Sequence, residues 1–200
     1  MRRLLSAACG LLALPLIGTP AAAATLSIDT DATTLTQGDT FTVSLNYDGE
    51  VDEILSGFVV DLFFDELFDL LDVSFVDPDL GLNPLALPGA DDTLSDFGFQ
   101  DFGDAATVFG ISGNTDGMLV DAQPLSFTFA TLTFAAAAVG EGEIGLDVFV
   151  DLFGIGGTDL EVAFGTDLLA LTVQPVPLPG ALLFMATGLA GLTARRRLAA

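Results

Sequence analysis

From Leu26 to Val173 apolar side chains recur at every second position, the spacing of strands rather than helices. Leu26 and Ile28 open a short strand. After a turn at Gln37-Gly38-Asp39, Phe41, Val43, Leu45 and Tyr47 alternate with Thr42, Ser44 and Asn46, which predicts one apolar and one polar face. Asp48-Gly49 closes it. In the next strand Phe58, Val60, Leu62 and Phe64 share one face, and Val59, Asp61, Phe63 and Asp65 the other. Apolar on much of both faces, it is expected in the middle of a sheet. Leu70, Val73 and Phe75 predict a partner strand for it, with a helical turn from Phe64 to Leu71 as the competing pattern.

Strands resume at Ala106–Ile111, and residues 112–117 read as a turn. Leu125, Phe127 and Phe129 alternate, then Leu132 and Phe134 continue with the phase moved by one, which predicts a β-bulge near Ala130-Thr131. Gly140-Glu141-Gly142 turns the chain into Ile144, Leu146, Val148, Val150 and Leu152. Leu160, Val162 and Phe164, then Leu169, Leu171 and Val173, finish the series. Short strands, Gly/Asp turns and no long helical pattern predict an all-β sandwich over residues 25–174. Residues 77–104 interrupt it. Asp77-Pro78, Asn83-Pro84 and Pro88-Gly89 punctuate a long irregular connection carrying Asp91, Asp92, Asp96, Asp101 and Asp104 among Phe97, Phe99 and Phe102. This is the first candidate for a binding surface; a solvated loop held down by its phenylalanines is the competing reading.

The ends follow different patterns. Met1-Arg2-Arg3, an apolar run to Ile17 and Thr19-Pro20-Ala21-Ala22-Ala23-Ala24 have the form of a secretory signal peptide over residues 1–24, cut after Ala23 or Ala24. The cut removes Cys9, the only cysteine, so the mature chain has no disulfide. Residues 180–194 are uncharged and apolar, and Arg195, Arg196 and Arg197 follow at once. As a helix they reach about 22 Å at ~1.5 Å per residue, short of the ~30 Å hydrocarbon core unless arginine snorkelling and the preceding residues extend them. The arginines mark the cytoplasmic side. The expected topology is exported body, single transmembrane helix, cytoplasmic stop.

Charge sharpens this picture. The chain has 28 Asp+Glu against 5 Lys+Arg, with no histidine and no tryptophan. All five bases are the arginines of the two ends, so the body holds every acid and no base. Nucleic-acid binding has no electrostatic footing in such a body. A His-based triad, a Schiff-base lysine and a Cys/His zinc site have no residues to build them. Paired carboxylates are the chemistry of glycoside hydrolysis, but 28 acids pair at any spacing by chance. Tyr47 is also the only aromatic of the body beside phenylalanine. The expectation is no enzyme, with a secreted carbohydrate-active enzyme as rival. No cofactor is required. Calcium is the one candidate ion, since it takes carboxylate and carbonyl oxygens; Asp29, Asp31, Asp91, Asp92 and Asp116 are the candidate ligands, and none follows an EF-hand spacing.

Two resemblances add to these readings. Val176-Pro177-Leu178-Pro179-Gly180, the short apolar helix and the arginine cluster resemble, in that order, the PEP-CTERM sorting signal of Gram-negative bacteria in its VPLP-type variant. Here Gly180 stands where that variant often has alanine, and Pro-Glu-Pro is absent. The resemblance makes residues 175–200 a sorting signal. It implies processing by an exosortase, transient membrane anchoring through residues 180–197, and export through the inner membrane to the cell surface or extracellular matrix. It also implies a structural or adhesive role in exopolysaccharide or biofilm, with exopolysaccharide or an envelope protein as partner. Residues 36–47 with Gly57–Asp65, and Leu125–Ala138 leading to Ile144–Val150 as a penultimate hairpin, are similar to a cohesin-like domain. That resemblance implies a nine-stranded jelly-roll sandwich, and a protein- or Ca2+-dependent binding module that holds a partner such as a dockerin on one sheet face.

Overall fold

The computed structural model describes residues 24–50, 53–88, 94–177 and Met185. Among the described residues the all-β sandwich is borne out, as two facing sheets. The first contains β1 (Ala24–Thr30), β3 (Thr40–Asp48), β5 (Phe68–Ser74), β8 (Ser126–Ala136) and β10 (Val162–Phe164), in the order β10-β1-β3-β8-β5. The second contains β2 (Thr34–Thr36), β4 (Gly57–Phe64), β6 (Asp96–Asp101), β7 (Ala105–Ile111), β9 (Gly140–Phe153) and β11 (Leu168–Gln174), in the order β2-β11-β9-β4-β7-β6. Among the described residues the strands number eleven where the cohesin resemblance implied nine. The three-residue β2 and β10 are among them, each lying parallel against its neighbour at a sheet edge.

Alternation in sequence becomes alternation in burial. Phe41, Val43, Leu45 and Tyr47 of β3 point inward, and Thr42, Ser44 and Asn46 outward. Phe41 stacks on its register partner Phe134 at 5.6 Å between centroids. Two contacts bridge the sheets: Phe58 of β4 against Phe129 of β8 at 4.5 Å, and Phe64 of β4 edge-on to Phe134 at 5.2 Å. Ring edges meeting ring faces suit the aromatic quadrupole, so phenylalanine supplies both area and geometry.

The bulge in β8 lies one residue before its expected place. Leu45 faces Ala130 while Asn46 faces Thr128, so Phe129 is the extra residue, and Phe129 and Ala130 are buried in succession. Two connections differ from expectation. β5 does not pair with β4; it pairs with β8. A tight turn, closed by the Phe68 N–H donating to Asp65 O at 2.9 Å, carries the chain from one sheet to the other. β8 and β9 likewise lie in different sheets rather than forming a hairpin. Period-2 alternation buries the same residues whichever sheet a strand joins, so it carries no information on the crossing.

Residues 77–88 are held by Asp77, which is 4 % exposed. Its Oδ1 accepts from the N–H groups of Asp79 and Leu80 at 2.8 and 2.9 Å. Its Oδ2 accepts from the Thr128 N–H at 2.8 Å. β5 pairs with β8 only from Thr131 to Ala136, so beyond the end of β5 Asp77 takes over as partner to the β8 backbone. Further on, Ile54, Leu87 and Leu119 form a second small core, Leu119 coming from the short helix α1 (Asp116–Ala122). Buried Gln123 ties the connections at this end: its Oε1 accepts from the Leu55 N–H and its Nε2 donates to Leu55 O and Pro84 O.

Two predictions follow from these contacts. Asp77→Ala leaves three backbone N–H groups without their acceptor, and should lower stability by about 3 kcal/mol, read as a lower urea midpoint at unchanged slope. A loss too small to resolve would show that Asp77 does not hold the segment. Tyr47, fully buried, donates its hydroxyl to Glu53 O at 2.9 Å. Burial pushes its phenol well up from the ordinary 10.0, and the carboxylates of Glu53 and Asp48 add to this. The folded chain therefore holds the phenolic proton more tightly than the unfolded chain. That contribution to stability is complete below pH 10 and is lost as pH rises beyond it. Tyr47 is the only tyrosine, and lysine is absent, so phenolate absorbance should report one group that ionises only as the chain unfolds. Tyr47→Phe should flatten the alkaline loss of stability, and a Tyr47 that titrates near 10 in the folded chain would refute the assignment.

Candidate functional site

The two outer faces of the sandwich differ in chemistry. On the five-stranded sheet the outward positions are Thr25, Ser27, Thr42, Ser44, Asn46, Thr128, Thr131 and Thr133. Across strands Thr42 pairs with Thr133, Ser44 with Thr131 and Asn46 with Thr128, whose hydroxyl donates to Asn46 Oδ1 at 2.7 Å. This face is polar, its hydroxyls joined by the exposed carboxylates of Asp29 on β1 and Asp69 and Asp72 on β5.

The outer face of the six-stranded sheet carries large exposed apolar side chains. Antiparallel register places Ile111, Gly57 and Phe153 in one cross-strand row, and Phe109, Val59 and Asp151 in the next. Phe63 pairs with Gly145, which in turn pairs with Leu168. Ile111 is 56 % exposed, Phe63 40 %, Phe149 72 % and Leu168 44 %. Two rings lie over glycines of the neighbouring strand: a β-carbon added at Gly98 would stand 2.6 Å from the Phe109 ring, and one added at Gly145 would strike Phe63. The glycines let the rings lie down on the sheet, which gives a broad apolar surface instead of separate knobs. Polar groups interrupt it: the Thr107 hydroxyl donates to Asp61 Oδ1 at 2.6 Å, Asp151 lies beside Val59, and Asp96 lies beside Ile111.

At one end the face deepens into a cleft of about 430 Å3. Gly57, between Ile111 and Phe153 in its row, contributes no side chain and so forms the floor. Val59, Phe109, Ile111 and Phe153 give apolar walls, and Asp96, Asp116 and Asn114 also line the cleft. Asn114 is 9 % exposed; its Nδ2 donates to Leu85 O at 3.1 Å, while its buried Oδ1 has no hydrogen-bond partner. The Ser112 hydroxyl donates to Leu85 O, and the Ser56 hydroxyl to Phe153 O and Gly154 O.

The residues singled out by sequence fall in three groups. Ala24 opens β1 and is fully buried, paired with Val162. Val176 and Pro177 are exposed just beyond β11. Ala23, Leu178, Pro179, Gly180, Arg195, Arg196, Arg197, Asp91 and Asp92 lie outside the described residues, as do the expected signal peptide and all of the expected membrane helix except Met185. Among the described residues no helix is long and apolar enough to cross a membrane. Of the calcium candidates, Asp29 Oδ1 accepts from the Thr30 N–H and Asp31 Oδ1 from the Thr42 N–H, while Asp116 lies at the cleft. Among the described residues no three His, Cys, Asp or Glu side chains converge.

The surface first expected in residues 77–104 is built differently. Phe97 packs on Phe75 at 5.5 Å and against the core, so it is structural; Phe99 and Phe102 are exposed on the β6 side. What sequence missed was the outward apolar set. Its signal was present in β4, where Val59 and Phe63 flank Asp61, but it was read as burial within a sheet. β4 does lie between β7 and β9, and its second face is turned to solvent.

No protein-family model matches the chain, and no curated protein matches it. Solved structures do. A non-cellulosomal cohesin from the archaeon Archaeoglobus fulgidus matches at TM-score 0.52 with 14 % identity, over 80 % of this chain and 96 % of that one. The sixth cohesin of scaffoldin B from Acetivibrio cellulolyticus, solved in complex with a dockerin, matches at 0.54 with 16 % identity over 76 % and 100 %. The cohesin module of a family 33 glycoside hydrolase from Clostridium perfringens matches at 0.55 with 9 % identity over 77 % and 98 %. At these identities the likeness is one of fold: the body of the chain has the cohesin fold.

Proposed function

We propose that this chain is an exported, non-catalytic binding module of cohesin type, which docks a partner protein on the outer face of its six-stranded sheet. The observation that carries the reading is the contrast between the faces: Phe63, Ile111, Phe149 and Leu168 stand in solvent on one sheet, while the central strands β1, β3 and β8 of the other present mainly hydroxyls and amides outward. A contiguous exposed apolar surface on a soluble domain marks an interaction site. The dockerin seated on the Acetivibrio cohesin supports a protein as the kind of partner. Residues 175–200 act in this proposal as the sorting signal read by an exosortase. The module is thereby delivered to the surface or extracellular polysaccharide of a Gram-negative envelope, where it serves a structural or adhesive role in biofilm.

The topology favours that arrangement. β11 ends at Gln174, beside Thr36 and one residue past the Val173–Gly140 pair, whereas the cleft sits where Gly57 meets Phe153. The fourteen residues of β9 run from one place to the other, about 40 Å at ~3.3 Å per residue. A module tethered through residues 175–200 would thus hold its cleft away from the membrane. Cleavage after Ala23 keeps Ala24, which opens β1 in register with Val162.

Capture from the envelope fraction tests the face. Wild-type exported protein should retain a saturable protein partner. Ile111→Glu with Phe149→Glu should weaken retention at least ~10-fold, while Thr42→Glu with Thr133→Glu on the hydroxyl face should leave it unchanged. Equal retention by both variants, or turnover of a polysaccharide by the wild type, would overturn the reading. For the sorting signal, the intact mass of the surface form should correspond to a chain that begins at Ala24 and lacks Arg195, Arg196 and Arg197. A surface form retaining the arginines would exclude exosortase processing.

A further inference from the structure

We infer that the cleft at the end of the six-stranded sheet is a socket for a lysine or arginine side chain of the docked partner. This rests on the docking face proposed above and assigns its anchoring chemistry.

Three independent features converge on a cation with an aliphatic stem. The first is shape. Gly57 leaves the row empty between Ile111 and Phe153, and the apolar walls suit a methylene stem, which long basic residues bury while the charged head stays polar. Phe109 and Phe153 also offer ring faces, which attract cations.

The second feature is the polarity of the lining, whose charged side chains are both carboxylates. The Ser56 and Ser112 hydroxyl protons are already given to backbone carbonyls, and the Asn114 amide donates to Leu85 O. What faces a ligand are the carboxylates of Asp96 and Asp116. Lysine and arginine carry donors and no acceptor, so they match such a lining. A ligand carboxylate would meet Asp96 and Asp116 as like charges. Beside them Asn114 Oδ1, buried in the wall, has no hydrogen-bond partner.

The third feature is charge. The chain has no basic residue between Arg3 and Arg195, so nothing within the folded body neutralises Asp96 and Asp116. A second copy of the chain brings the same carboxylates and cannot serve. A calcium ion would seek six to eight oxygens, and among the described residues no group of three acidic ligands converges.

The test uses single side chains, so it reads the socket without any partner. Isotope-labelled exported protein is titrated with the amides of Nα-acetyl-lysine, Nα-acetyl-arginine and Nα-acetyl-norleucine, and separately with CaCl2, while backbone amide shifts are followed. The lysine or arginine compound should shift Gly57, Ile111 and Ser112 saturably, and norleucine amide should not. Asp96→Asn with Asp116→Asn should weaken binding about fivefold, and Asp69→Asn with Asp72→Asn on β5 should leave it unchanged. Equal shifts from norleucine amide, shifts spread evenly over every acidic turn, or tighter saturation of the same amides by Ca2+ would each overturn the inference. If the socket binds lysine amide yet no envelope protein is retained, the docking reading fails alone. If a partner is retained through Ile111 and Phe149 while lysine amide does not bind, the socket fails alone.

Discussion

A body with 28 carboxylates and no base cannot form a side-chain ion pair within itself. Every carboxylate must be met by water, by a backbone N–H or, as at Asp61, by a neutral side-chain donor, and this decides where acids can stand. Asp39 takes the Thr36 N–H at 2.7 Å and closes the turn into β3. Asp31 takes the Thr42 N–H, Asp65 the Glu143 N–H, and Asp77 three N–H groups at once. These acids sit at strand ends, where the ladder stops and N–H groups are left over. Charge that would otherwise only repel is thereby used to close turns and tie segments. Mutual repulsion among the rest still opposes the compact state, and the burden of stability falls on the apolar interior.

That interior explains the phenylalanine content. Residues of both sheets meet through Phe58, Phe64, Phe129 and Phe134, and Phe41, Phe68 and Phe75 extend the contacts along the sandwich. The bulge at Phe129 lets β8 present Phe127, Phe129, Ala130, Leu132 and Phe134 to the core despite the change of phase. Beyond the reach of this core the connections need their own closure. Ile54, Leu87 and Leu119 bury a second, smaller set, and Gln123 takes the place of a strand partner for Leu55. The cleft stands on this end of the molecule, so the small core positions Asn114 and Asp116 as much as the sheet positions Gly57 and Ile111.

How much was legible follows from the same physics. Period 2 marks a strand that buries one face, so β3, β7 and β11 stood out, as did the phase change in β8. Periodicity does not say which sheet a strand joins: Phe64 and Phe68 are both buried, three residues of turn apart, on opposite sheets. Nor does it show a buried carboxylate. Asp77-Pro78 reads as a turn whether or not Asp77 reaches across 51 residues to Thr128. β6 was hidden because its burial pattern is that of an edge, with only Phe97 reaching the core. The apolar outer face was visible in β4 alone, since its other members come from β7, β9 and β11 and meet only through register.

An exposed apolar face on a β protein ordinarily invites self-association, through the face itself or through open sheet edges. Here the edges are blunted in two ways. β2 and β10 are three residues long, too short to template a strand. β5 and β6 carry Asp69 and Asp72, and Asp96 and Asp101. Copy-to-copy docking of the apolar face would bring together two surfaces ringed by acids with no base to offset them. The same excess of charge that costs the fold stability thus selects against the chain itself as a partner. It leaves the face open to a surface that combines apolar contact with positive charge. One-sided charge acts here as a filter on what can associate with the apolar face.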